Sequence, residues 1–352
     1  MAYGGSQGTS LFVNTIAASP YLPMQYGYKD WLPSQSYYAF ATEAGCPPSL
    51  PYGAHPQTIF QCLVGKDTDT LVNASATISE SGNYGTWAFL PVTDGVFVQD
   101  LPSQQLLRKQ VNGINALIGN NAAEGPSFVP QNITSEDNLV AWLQLTFPLF
   151  TNDDIAKVLL YYPSSNASTN PNAPLSVGTG QQERADNIYA ETTFVCPSYW
   201  MAEAYSDRGR TSFKYQFSVP PALHGSDVSG SAPNIGPDLA LAFRQIWGNF
   251  ITANNPSISS SVANGASSGN AGSSNDASNW PPFTIYAPYQ INLNETGGTP
   301  FSTNITQIGH NITEFGQPGL QNDITLVNAW TWEAGRGYRC DFWRSMGAIV
   351  PE

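Results

Sequence analysis

Phe213, Tyr215, Phe217 and Val219 alternate with Lys214, Gln216 and Ser218. Seven residues with four apolar side chains on one face make a β-strand, not a helix. A second strand candidate is Ile114–Gly119, and residues 9–19, TSLFVNTIAAS, read as a short approach followed by a third. A break follows at Pro20 and Pro23. Helical spacing appears between these strands. Pro33–Cys46 has Pro33 near its start and Gly45 as its stop. Ser135–Phe147 repeats Leu139, Val140, Leu143 and Phe147, with Glu136 and Asp137 in its first turn to suit the helix dipole. Asn152–Tyr162, Pro197–Tyr205 and Pro237–Ile251 complete the set. Strands alternating with helices predict an α/β fold. Residues 255–279, rich in Ser, Gly and Asn, read as a flexible low-complexity surface insertion rather than a domain boundary, because packed-looking segments flank it.

The composition narrows the function. Hydrophobic residues make 41% of the 352, enough for a packed core and too many for disorder. Thirteen Lys and Arg against 26 Asp and Glu leave a formal charge of −13. That argues against nucleic acid or an anionic membrane as partner, since both need a basic patch. No apolar run approaches the length of a membrane-spanning helix. Four cysteines, few lysines and six Asn-X-Ser/Thr sequons (Asn73, Asn132, Asn166, Asn294, Asn304, Asn311) fit a secreted glycoprotein. The first residues, MAYGGSQG, lack the basic and apolar regions of a signal peptide, so the leader is expected upstream.

The cysteines and histidines have no zinc-type spacing, and no phosphate-cradling Gly motif occurs, so no metal or cofactor is expected. His310 directly precedes a sequon and reads as surface, as does His55 in its Pro/Gly-rich loop. His224 follows the strand Phe213–Val219 within five residues, on the kind of loop where α/β enzymes place catalytic groups. It is also explained as a loop histidine held by Asp227. Glu124 follows the strand Ile114–Gly119 in the same way, although a lone Glu in such a loop is usually solvated. A Glu and then a His on successive strand-end loops is the order of a Ser…Glu…His hydrolase. Gly4-Gly5-Ser6-Gln7-Gly8 matches G-x-S-x-G literally. It has no room for a strand before it and a strand soon after it, so Ser6 is the disfavoured nucleophile and reads as part of a Gly-rich surface turn.

These residues resemble a family. TSLFVNTIAASPYLP, EAGC…IFQCL, FLPVTDGVFVQDLP, ALIGNNAAEGPSF, FVCPSYWMA, ALHGSD and RCDFW occur here in the order of their counterparts in a fungal type B carboxylesterase. That family is the cholinesterase/lipase-like branch of the α/β-hydrolases. The resemblance implies that Glu124 is the acid of a serine esterase triad and His224 its general base. It implies the disulfides Cys46–Cys62 and Cys196–Cys340, where four cysteines alone allow three pairings. In the loop-entropy picture the short bridge contributes up to ~3 kcal/mol and the long one up to ~5 kcal/mol.

In the family the nucleophile elbow precedes a helix, and that helix precedes the strand resembled by residues 9–19. The resemblance therefore implies that residues 1–352 form a single, partial α/β-hydrolase domain, with the nucleophilic serine and oxyanion-hole loop upstream of Met1. Such a chain is expected to lack esterase activity alone and to expose an apolar sheet edge. The complete enzyme would act on a small-molecule or lipid ester. The alternatives are a non-catalytic secreted cholinesterase-like binding module or decayed paralogue, and a complete small esterase that uses Ser6. The aromatic segment 21–31, YLPMQYGYKDW, reads either as pocket lining or as core and rim packing.

Overall fold

The computed structural model describes residues 1–48, 57–163, 180–228, 235–265, 268–306, 309–347 and 349–350. His55 and Asn166 lie outside them. Five strands form one mixed sheet in sequence order: β1 Asn14–Ala18, β2 Asn115–Asn121, β3 Thr211–Phe217, β4 Tyr289–Ile305 and β5 His310–Asn328. The first three pairings are parallel and β4–β5 is antiparallel. The helices are α1 Trp31–Glu43, α2 Ile59–Val64, α3 Thr68–Glu80, α4 Pro102–Leu107, α5 Glu136–Thr146, α6 Asn152–Tyr161, α7 Gln181–Ala190, α8 Cys196–Ala204, α9 Pro237–Ala253, α10 Ser260–Asn264 and α11 Trp332–Ser345. A π-helical turn, Glu191–Val195, joins α7 to α8.

Local chemistry explains the ends of the helices read from sequence. Ser135 caps α5 by accepting the Asn138 N–H, with Glu136 and Asp137 in the first turn. Thr151 and Asp154 cap α6 reciprocally. α9 starts on Pro237 and stops at Asn254, whose left-handed backbone (φ 59°) ends the helix. Leu239, Ala242, Ile246 and Phe250 form its buried stripe.

That stripe packs on the face of β3 carrying Phe213, Tyr215 and Phe217, together with Leu117, Ile291 and Leu293. A second core on the other side of the sheet joins Ala116 and Ile118 of β2 to Trp142, Tyr199, Trp200 and Trp343 from the helices. Ser212, Lys214 and Gln216, the polar side of the β3 alternation, are therefore buried too. Lys214 donates to Asn120 Oδ1 at 2.6 Å and lies 4.3 Å from the centre of the Tyr199 ring. Burial there, with Arg336 nearby, pushes its ammonium well below the ordinary lysine range.

β1 occupies the open side of the sheet and pairs only with β2 among the described strands. All five of its residues are half-buried, and Leu11, Phe12 and Val13 before it are exposed. Residues 255–279, read as a surface insertion, combine exposed positions such as Ser259, Asn270 and Asp276 with a few buried ones. Ala263 and Ala277 are fully buried, and two bonds tie the segment to β5: Asn275 Nδ2 donates to the Ile324 carbonyl, and Asn322 Nδ2 donates to the Ala263 carbonyl in α10. Two disulfides are present, Cys46–Cys62 and Cys196–Cys340. No helix among the described residues is long and apolar enough to cross a membrane.

Candidate active site

The loops after β2 and β3 are stitched together beyond the ends of their strands. Ala122 N–H donates to the Phe217 carbonyl at 2.9 Å, and Ala123 N–H to the Ala222 carbonyl at 3.0 Å. Parallel strands in register thus bring two loops, a hundred residues apart in sequence, to one point. Glu124 and His224 meet there, with Nδ1 and Oε2 2.5 Å apart. Glu124 is fully buried, while the imidazole keeps about a third of its surface exposed. With the carboxylate on Nδ1, the neutral ring carries its proton on that nitrogen, and Nε2 is free to accept one.

The carboxylate is fully committed. Its Oε1 accepts from Ser19 Oγ and from the Asn121 backbone N–H, each at 2.5 Å, and from Asn121 Nδ2 at 3.2 Å. Four donors around one buried carboxylate fix its orientation. Ser19 reaches it from the residue after β1, where the backbone has turned left-handed (φ 53°). Asp227 does not hold His224. It accepts from Tyr215 Oη at 2.8 Å and from Asn121 Nδ2 at 3.1 Å. Burial raises the Asp227 carboxyl above its ordinary range, against those two bonds. Tyr215, buried against it, is raised as well.

Two rings wall the imidazole. Phe194 lies 4.3 Å from it centre to centre, and Phe128 meets it edge-on at 5.2 Å. From Phe194 the aromatic surface continues to Tyr21 at 5.5 Å. Tyr21 and Tyr189 line a small cavity of about 90 Å³, which shares Met24, Trp87 and Leu90 with a groove of about 370 Å³. The segment 21–31 therefore divides: Tyr21, Met24 and Tyr26 line these cavities, whereas Tyr28 and Trp31 are exposed.

Ser6 is not brought to this site. It is exposed, and its neighbour Gln7 donates through its N–H to Asn112 Oδ1, before the start of β2. Glu124 lies past the other end of that seven-residue strand, a span of ~20 Å. No hydroxyl among the described residues hydrogen-bonds His224, and Ser19 is bonded to the acid rather than to the base. No three His, Cys, Asp or Glu side chains among the described residues gather as a metal-ligand set. Of the described sequons, Asn73, Asn132, Asn304 and Asn311 are exposed and Asn294 is half-buried. Ser19, Asn121, Phe128 and Phe194 were not legible as site residues. Only Ser19 had a local signal, its place just beyond a strand.

A mixed sheet with an acid and a histidine on adjacent strand-end loops defines an α/β-hydrolase fold. The crystal structure of Aspergillus niger EstA matches all of this chain at a TM-score of 0.66, with 16% identity and 61% of that chain covered. A model of the carboxylesterase family matches residues 5–307, and the chain belongs to that family. Carboxylesterase patB of Aspergillus clavatus is 27% identical over 197 residues, which are 53% of this chain and 34% of that protein. Secreted lipase 4 of Gibberella zeae is 23% identical over 208 residues, 56% of this chain and 37% of its own length. The matched stretches thus span about a third of these two relatives.

Proposed function

We propose that this chain carries the acid and the base of a secreted, glycosylated serine carboxylic ester hydrolase. The observation that carries this reading is the 2.5 Å contact between His224 Nδ1 and the buried Glu124 carboxylate. In that role Nε2 takes the proton of an attacking serine as its oxygen adds to the ester carbonyl. Glu124 holds the ring and stabilises its charged form. The small cavity lined by Tyr21, whose ring lies 5.5 Å from that of Phe194, suits an ester with an apolar acyl or alcohol group. On this reading the attacking serine is not among the described residues, and the chain alone does not hydrolyse esters. The positions of Ser6 and Ser19 support that part of the reading. Secretion and glycosylation rest on the exposed sequons, the two disulfides and the likeness to a secreted lipase.

A second reading is a non-catalytic module or decayed paralogue that keeps the fold. It is favoured by the lack, among the described residues, of a hydroxyl bonded to His224. Hydrolysis of p-nitrophenyl butyrate by the native protein from its source, compared with the 352-residue chain, separates the two. The native protein should be active, and His224→Gln in it should lower kcat by about 10⁶-fold. An inactive native protein would sink the enzyme reading. Activity of the 352-residue chain that disappears in Ser6→Ala would restore Ser6 as the nucleophile.

A further inference from the structure

The hydrogen bond to Glu124 anchors one nitrogen of His224 but leaves the ring free to swing about the Nδ1–Oε2 line. What removes that freedom is the pair of phenyl walls, and one of them stands on the π-helical turn. Such turns are rare and persist where the surroundings impose them. This one is held on every side. Glu191 accepts from Arg336 at 3.0 Å, from Arg339 at 2.6 and 2.7 Å and from Tyr162 Oη at 2.6 Å. The Thr192 hydroxyl lies within hydrogen-bond distance of the Ile188 and Tyr189 carbonyls, where the widened turn disturbs the helical ladder. The Thr193 carbonyl accepts the Leu22 N–H at 3.0 Å, from the segment just beyond Ser19. Cys196, the next residue, is bonded to Cys340 on α11. All five residues of the turn are buried. Phe194 is its one side chain laid against the imidazole, at 4.3 Å and 35° between planes. Phe128 closes the edge of the imidazole and also touches Phe194 at 5.3 Å.

We infer that the turn Glu191–Val195 is a positioning device for the histidine, and that Phe194 is the residue that fixes the plane of the His224 imidazole. The inference rests on the reading of His224 as the general base. A base that must present Nε2 to an oxygen needs its ring plane set as well as its tautomer. The turn supplies the former and Glu124 the latter.

The test reads the ring and not ester cleavage, using the chain labelled with ¹⁵N-histidine. The Nδ1 proton shared with Glu124 should give a low-field resonance that exchanges slowly with water and is lost in His224→Gln. Phe194→Leu and Phe194→Met should speed that exchange by about an order of magnitude. Phe194→Tyr, which keeps the ring, should preserve the wild-type signal. Far-UV circular dichroism checks that each variant is folded. Unchanged exchange in the Leu and Met variants overturns the inference, as does loss of the signal in the Tyr variant. If neither apolar variant folds, the wild type decides. A nuclear Overhauser contact between the Phe194 and His224 rings is expected, and its absence overturns the inference. A native protein that never cleaves an ester would defeat the functional reading and leave this result intact.

Discussion

Ser19 Oγ donates to Glu124 Oε1 at 2.5 Å, across 105 residues of sequence, and so ties the end of the edge strand to the buried acid. The serine backbone there is left-handed, a conformation that side chains other than glycine, asparagine and aspartate seldom adopt. Tertiary contacts hold it. Ser19 N–H donates to the Gly119 carbonyl at 2.8 Å, which continues the β1–β2 ladder by one bond.

Removing that hydroxyl should weaken the fold without dissolving the site. Ser19→Ala leaves Glu124 with the two Asn121 donors and His224. The expected cost is about 1–3 kcal/mol, the range for a lost bond to a buried charged group. Urea unfolding measures it. An unfolding midpoint equal to the wild type would show that the bond contributes nothing net.

Glu191 should matter more. It is fully buried between Arg336 and Arg339, themselves almost fully buried. Burial alone would raise its carboxyl, but the two guanidiniums reverse that and hold it below the usual range. Glu191→Gln strands two buried cations and should cost about 3–5 kcal/mol. Because the folded carboxyl is depressed, its contribution is present above the unfolded-state glutamate range and is lost as pH falls through the lower folded value. Melting temperatures of wild type and variant should converge in acid.

Glu295 should act with the opposite sign. Both its oxygens accept the Gly236 N–H, at 2.9 and 3.1 Å, just ahead of α9. Burial pushes this carboxyl up to about 7, the Gly236 bond opposes the rise, and Asp238 adds to it. The folded state therefore holds a proton that the unfolded state has already released, so stability falls as pH rises from the ordinary glutamate range to about 7. Glu295→Gln should flatten the dependence. Its melting temperature should exceed the wild type by a few degrees at pH 8 and match it more closely at pH 5. A constant gap between the two proteins across that range would refute the assignment.

The bridge Cys196–Cys340 closes a loop across a sequence separation of 144 and anchors the π-helical turn to α11. Cys340→Ser should remove up to about 5 kcal/mol. The short bridge, across a separation of 16, should matter less, and Cys62→Ser should remove up to about 3 kcal/mol. Denaturant midpoints of the two variants give the order, and a larger loss from Cys62→Ser would contradict it.

Legibility followed the range of the interactions. The helices with caps and stripes within one turn, α5, α6 and α9, could be read to within a residue or two of their ends. α2 carried a Thr58–Gln61 capping box in plain sight, but six residues give too few repeats for a period to stand out. The long hairpin β4–β5 was missed because its sequence lacks steady alternation. Gly297, Gly298, Pro300 and Pro318 interrupt it, the register shifts between Gly297 and Thr299, and much of its distal half is exposed. The alternation of β3 marks one apolar face, and its polar face is buried as well. It is covered by helices whose own apolar pattern gave no hint of what they would lie upon.

By itself the amino-acid sequence determined the α/β alternation and the placing of Glu124 and His224 on successive loops past strand ends. The resemblance its motifs carry added the cysteine pairing. The strand pattern is set between near neighbours, and the chain order of the motifs is a property of the sequence itself. Only the tertiary structure decided that Glu124, and not Asp227, holds the imidazole, that Ser19 and Asn121 hold Glu124, and that Phe194 walls the ring. Those contacts join segments up to 105 residues apart. They exist because three parallel strands in register deliver their ends to one place, which no local pattern along the chain encodes.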